Sequence, residues 1–309
     1  MKSDPTENAL AALDEVPLHT PAGRKQLVKA FASRSNRVAA KAARITGEAQ
    51  WSELMPDLVT AFDRLIAHGA EVDKGCVALS AMARALVALD CKDHELFLKG
   101  MRHVQMEPVW GGSIDTAAEL RGLCAMGLVG TRFPHKLRVF VDLLVDKEWQ
   151  ARAGAVRAIT NEGSEAACLL LRLKILTGDQ EPEVLADCFT GILSLDGSDA
   201  MPLVTSFAAT AEPSLREAAL LALGTSRRPD AVDFLRDRFA AVADRETRSC
   251  ILLALSTSRT DAAIEFLLGI IRDATPSMSA MAVSAMELHR DELLRAEVEK
   301  ALQARSPEL

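Results

Sequence analysis

The 309-residue chain predicts an all-α fold of stacked helix–turn–helix units, and three observations carry that prediction. The first is internal repetition. Ser214-Leu-Arg-Glu-Ala-Ala-Leu-Leu-Ala-Leu-Gly-Thr-Ser-Arg227 is followed 32 residues later by Glu246-Thr-Arg-Ser-Cys-Ile-Leu-Leu-Ala-Leu-Ser-Thr-Ser-Arg259, and Ala231-Val-Asp-Phe-Leu235 by Ala263-Ile-Glu-Phe-Leu267. A fixed period of that size marks units that cannot bury their apolar faces alone and therefore stack. The second is composition. Hydrophobic residues make up 49 % of the chain, yet aromatics are 4 % and Tyr is absent, so Ala and Leu carry the apolar content. That favours helices over strands. The third is pattern: the repeated segments place apolar or small residues at i, i+3, i+4 and i+7.

Taken in order, residues 24–32 and 37–45 make one candidate helix pair, and 51–68 and 75–89 another. A helix ends near Met106 and the next starts near Asp115, continuing through 119–128. The regular pairs follow: 137–145 with 149–159, 167–176 with 182–193, 201–208 with 214–227, 231–242 with 246–259, and 262–272 with 277–286. A terminal helix over 291–303 is rich in Glu, Lys and Arg, as a polar cap should be. The turns carry Gly, Asp, Ser and Pro, and Pro182, Pro213 and Pro276 sit where a first helical turn tolerates a missing N–H. The expected organisation is about eight repeats forming one solenoid over 24–304. A partly flexible segment 1–23 precedes it and a tail 305–309 follows.

The second helix of the unit, Leu215-Arg-x-x-Ala-x-x-Ala-Leu223, and an Asp six residues before the Arg, as in Asp146 and Arg152, resemble HEAT repeats. The form is the degenerate one shared with phycobilin-lyase subunits. The resemblance covers most of 24–304 and is strongest over 119–290. It implies a right-handed α-solenoid. It does not imply one function, because such proteins are mostly scaffolds and occasionally enzymes.

The net charge of −7 means that the chain as a whole is not drawn to nucleic acid or anionic membranes. The first residues hold no apolar core of a signal peptide, and the best apolar stretch, 77–89, contains Arg84, so the expected location is cytoplasmic. The six cysteines are scattered without a CxxC and read as reduced, buried small hydrophobes.

Four arginines recur in the frame, Arg121, Arg152, Arg216 and Arg248, and Leu185 interrupts them. Their position beside an intra-repeat turn reads as an internal ladder rather than a ligand-binding stripe. The basic run is a different matter. Arg24, Lys25, Lys29, Arg34, Arg37, Lys41 and Arg44 follow one another with no acid among them. The interruption Glu107-Pro-Val-Trp-Gly-Gly-Ser-Ile114 reads as a long loop that offers Trp110 as an anchor at a binding edge.

The expected function is that of a non-enzymatic scaffold or adaptor holding another protein or peptide. Its concave face would be lined by the second helix of each repeat, with Glu119, Arg157, Asp187 and Glu217 as contacts. No catalytic residue, cofactor or metal is expected, since GxSxG, P-loop and GxGxxG motifs are lacking. One alternative is nucleic-acid binding through 24–44, or a DNA-base-repair-like activity using Trp110 and Asp115, with Trp149 and Arg152 as a loose echo. The other is a metal-dependent hydroxylase- or lyase-like enzyme, for which Cys91, His94-Glu95 and His103 are the weak lead.

Overall fold

Helix starts are written locally in this chain and the structure, a computed structural model that describes residues 4–287, 289 and 291–305, uses them. The side chains of Asp4, Thr20, Asp93, Asp244, Thr260 and Asp291 each accept a hydrogen bond from a backbone N–H of the turn they cap. Pro5, Pro21, Pro182, Pro213, Pro229 and Pro276 open helices where the missing N–H costs nothing.

The chain divides into two compact units at Ala167/Cys168. The N-terminal unit contains α1 (Pro5–Asp14), α2 (Pro21–Phe31), α3 (Asn36–Glu48), α4 (Met55–His68), α5 (Val77–Ala88) and α6 (His94–Met101). Next come strands β1 (Met106–Val109) and β2 (Gly112–Asp115), then α7 (Ala118–Val129), α8 (Lys136–Leu144) and α9 (Trp149–Glu162). Helix α10 (Glu165–Thr177) crosses the division. The C-terminal unit continues with α11 (Pro182–Ala208), α12 (Pro213–Thr225), α13 (Pro229–Ala241), α14 (Arg245–Ser258), α15 (Asp261–Asp273), α16 (Pro276–Met286) and α17 (Glu292–Gln303). The architecture is the all-α helical repeat that the periodicity predicts.

In the N-terminal unit the second helices α3, α5, α7 and α9 pack along their lengths as one row, while α2, α4 and α6 touch one another lightly. This closely packed row is termed the inner row. Small residues permit the approach: an added Cβ on Gly154 of α9 would stand 2.2 Å from the Cα of Gly122 on α7. In the C-terminal unit α12, α14 and α16 form the matching row. The core lies between the rows. Phe62, Leu79, Met82, Phe97, Leu120 and Val156 are fully buried in the first unit, and Phe189, Leu220, Leu235, Leu255 and Leu267 in the second. Each such side chain contributes about 1.5–3 kcal/mol by leaving water.

The structure departs from the sequence reading in three places. Residues 5–14, assigned to a partly flexible segment, form α1, which packs on α3 and buries Leu13. The two helices expected at 182–193 and 201–208, from successive repeats, are one helical run broken at Gly197, whose φ of 48° turns the chain without a loop. The expected long loop around Trp110 is a β-hairpin. Of the expected tail 305–309, Arg305 alone is described. It donates to the carbonyls of Ile271 and Ala274, the open end of α15.

The repeated arginines form an internal ladder. Arg152 donates to Asp146 O and Lys147 O, Arg216 to Thr210 O and Ala211 O, and Arg248 to Val242 O, each tying down the turn before its helix. Leu185 lacks the guanidinium and is buried, and Lys174 and Asp179 pair at 2.7 Å beside that turn.

Candidate functional site

Two features of the N-terminal unit stand apart from the regular scaffold. The first is a groove of about 640 Å³ between α3 and α5. Its floor is Ala40, Ala81, Ala85 and Ala88 with the half-exposed Val77, and Leu10 of α1 closes one side. Its rim carries Arg37, Lys41 and Arg44 on α3 and Arg84 on α5, against one acid, Glu48. Arg37, Lys41 and Arg44 are spaced i, i+4 and i+7, which puts them on one face of the helix. Each has an acidic neighbour: Glu7 at 3.2 Å from Arg37, Asp14 at 2.6 Å from Lys41, and Glu48 at 3.0 Å from Arg44, while Arg84 pairs with Glu119. Lys41 also donates to Leu10 O, so α1 is pinned to this wall.

The second feature is the hairpin. Val109 pairs with Gly112, so Trp110 and Gly111 are its two-residue turn, and the φ of 88° at Gly111 is one that glycine adopts without strain. Trp110 is fully exposed at the tip. The base is locked by buried polar groups. Glu107 accepts from Gly75 N at 2.6 Å, Thr116 Oγ1 at 2.7 Å and Gln105 Nε2 at 2.8 Å. Asp115 accepts from the backbone N–H groups of Gln105 and Ala117 and pairs at 2.7 Å with Arg121, whose other guanidinium nitrogens grip Asp146. Burial alone would raise both carboxyls. The donors aimed at them outweigh it, Gln105, Thr116 and Gly75 at Glu107, and Gln105, Ala117 and Arg121 at Asp115, and hold both below the usual range.

The sequence-predicted residues are dispersed. Arg24 on α2 pairs with Asp57 of α4, Lys25 and Lys29 point to solvent on α2, and Arg34 lies exposed between α2 and α3. The basic run thus has acids supplied by α1, α4 and its own helix, which its sequence alone does not show. Helix α7 carries Glu119 and α9 carries Arg157, both exposed. In the other unit Asp187 on α11 is half-buried and Glu217 on α12 exposed. A second groove, of about 530 Å³, lies between α14 and α16 and is lined on α14 by Arg245, Ser249 and Leu253. Counted from ladder Arg248, these stand at −3, +1 and +5. Glu217 and Arg157 share that register, at +1 and +5 of their own helices, whereas Glu119 and Asp187 do not. Sequence reasoning missed Val77, Ala81 and Arg84. They come to the groove from a helix some forty residues beyond α3.

Asp115 and Arg152 are occupied inside the scaffold, so they do not line an open cleft with Trp110. Cys91 is buried, His94 lies by Glu95 and stacks on Phe133, and His103 contacts Gln105. Among the described residues no group of three or more His, Cys, Asp or Glu is gathered for a metal ion. Burial, with Asp73 next to it, pushes the Cys76 thiol up to about 12, and burial raises Cys124 and Cys188 as well. A thiol-specific reagent at pH 8 is expected to spare these three in the native protein and modify them in urea. Fast native labelling of Cys124 would contradict that placement.

Residues 169–256 match the family model for HEAT repeats. No curated protein sequence matches the chain. Among solved structures it is similar to human deoxyhypusine hydroxylase in complex with glycerol, with 18 % identity, 83 % of this chain and 91 % of that one, and a TM-score of 0.32. It is also similar to the complex of CpcE and CpcF of phycocyanin lyase from Nostoc sp. PCC7120, with 16 % identity, 91 % and 94 % coverage, and a TM-score of 0.38. An engineered protein gives 16 % identity, 98 % and 92 % coverage, and 0.31. Superpositions that loose say nothing of chemistry. The matched HEAT repeats lie in the C-terminal unit, whereas the larger groove and the hairpin lie in the other. No described helix is long and apolar enough to cross a membrane.

Proposed function

We propose that this HEAT-repeat chain is a non-enzymatic adaptor that holds another protein or peptide against its inner-row helices. The observation that carries the reading is the α3/α5 groove: an open apolar floor rimmed by polar side chains, the arrangement that buries a partner's apolar stripe and orients it by charge. The Trp110 hairpin adds a large exposed aromatic on a rigid base, the kind of side chain that anchors interfaces.

The test is affinity capture with the native chain and with Ala81→Trp, which fills the floor. A stoichiometric protein partner retained by the first and lost by the second supports the reading. A partner held equally by Ala81→Trp and by a Trp110→Ala chain would count against both surfaces. Stoichiometric iron or zinc in the purified protein would favour the hydroxylase-like alternative.

A further inference from the structure

We infer that the α3/α5 groove takes an acidic amphipathic α-helix of about three turns, its apolar stripe on the alanine floor and its carboxylates on the α3 wall. The inference deepens the protein-binding reading and rests on it. Length comes from the groove itself. Arg37 to Glu48 and Val77 to Ala88 are parallel stretches of two packed helices, each about 16 Å long at 1.5 Å per residue.

Charge sign comes from the groove lining, where Arg37, Lys41, Arg44 and Arg84 stand with Glu48, while their other partners Glu7, Asp14 and Glu119 lie outside it. Taken as a whole the chain argues the other way, since its charge is −7, but that charge is unevenly placed. Residues 1–167 hold 21 Lys and Arg against 21 Asp and Glu, whereas residues 168–309 hold 15 against 22. The groove thus sits on the neutral unit, and its own rim decides the local field.

The cations are available although they are paired. The side chains of Arg37, Arg44 and Arg84 are 58–63 % exposed and those of Glu7, Glu48 and Glu119 56–62 %, so these are weak, solvent-screened surface pairs. A ligand carboxylate replaces such a partner at little cost. Lys41 differs: its side chain is 17 % exposed and held by Leu10 O and Asp14, a fixed positive point at mid-wall.

Spacing selects a helix. Along the α3 axis Arg37, Lys41 and Arg44 are separated by about 6 and 4.5 Å, which Glu or Asp at i, i+4 and i+7 of a ligand helix reproduces. The floor selects against nucleic acid. No aromatic residue lines the groove, so bases would have nothing to stack on.

The experiment is fluorescence anisotropy on the full chain. The probe is a labelled helix-forming peptide with Leu on one face and Glu at i, i+4 and i+7. Its counterpart with Lys for Glu and single-stranded oligothymidine serve as comparison probes. Arg37→Glu/Arg44→Glu is expected to weaken the acidic peptide about tenfold or more, and Ala81→Trp similarly. Lys25→Glu/Lys29→Glu makes the same change in net charge away from the groove and is expected to stay within about twofold. If the reversed chain does not fold, Arg37→Gln/Arg44→Gln replaces it, with an expected loss of about fivefold.

Equal binding of the acidic and basic peptides, equal loss in the two double reversals, or tighter binding of oligothymidine overturns the inference. A captured partner that is lost with Ala81→Trp but indifferent to Arg37→Glu/Arg44→Glu overturns the acidic helix and leaves the binding reading standing. Indifference to both removes the groove from each.

Discussion

Replacing Arg121 by methionine is expected to lower the unfolding free energy of the N-terminal unit by about 3–5 kcal/mol at pH 7. Arg121 is 3 % exposed and its guanidinium lies between Asp115 at 2.7 Å and Asp146 at 2.9 Å, with His103 O as a further acceptor. Methionine fills much of the volume but leaves two carboxylates in a site built for a cation. Much of the loss is the desolvation of those charges rather than the strength of the ion pairs.

Two further measurements separate this from simple loss of packing. Arg121→Met combined with Asp115→Asn and Asp146→Asn is expected to recover most of the stability, because no unpaired charge remains. The single variant's deficit is also expected to shrink as pH falls toward 4, where the buried Asp115, deprived of Arg121, takes up a proton. The native protein behaves oppositely. Asp115 and Glu107 titrate below their ordinary values of 3.8 and 4.5 in the fold, so their contribution is present above those ordinary values and is lost as pH falls through the folded ones. Urea titrations by circular dichroism at pH 7 and pH 4 read both slopes. A pH-independent deficit would sink the stranded-charge account.

Gly154→Ala is the second large effect, and its sign is informative. In a helix interior alanine exceeds glycine by about 1 kcal/mol, so on propensity alone the change should stabilise. Here the new Cβ would stand 2.2 Å from Gly122 Cα, and a backbone atom cannot swing away. The inner-row helices α7 and α9 must part, which costs about 1–3 kcal/mol in overpacking strain and loosened neighbours, on top of the propensity gain being cancelled. Gly269 on α15 is the matched control. Nothing lies within 4 Å of its added Cβ, so Gly269→Ala is expected to gain up to about 1 kcal/mol. Thermal unfolding of the two variants should move in opposite directions. A stabilised Gly154→Ala would mean that the inner row is not as closely packed as α7 and α9 make it.

The scaffold was legible because its signals are local and repeated. The frame through Arg152, Arg216 and Arg248 located the second helices, and the structure puts each of those arginines on the carbonyls of its own turn. Some local signals went unread. Asp4 followed by Pro5 is a cap and a first-turn proline, and α1 starts there. The hairpin was harder. Pro108, Gly111 and Gly112 read as loop, and the strands depend on Glu107 reaching Gly75 and on Asp115 reaching Arg121.

By itself the sequence determined the repeat period, the helical class, the helix starts and the ladder that closes each turn, since all of these depend on residues a few positions apart. The tertiary structure alone decided which charges are paired, that Trp110 stands on a locked hairpin, and that α3 and α5 enclose a groove. Those outcomes depend on side chains brought together from 25 to 40 residues away, such as Arg84 beside Glu119 and Arg121 beside Asp146. The physical reason is that periodicity constrains which face of a helix is buried, while charge pairing and surface shape depend on which neighbour that face meets.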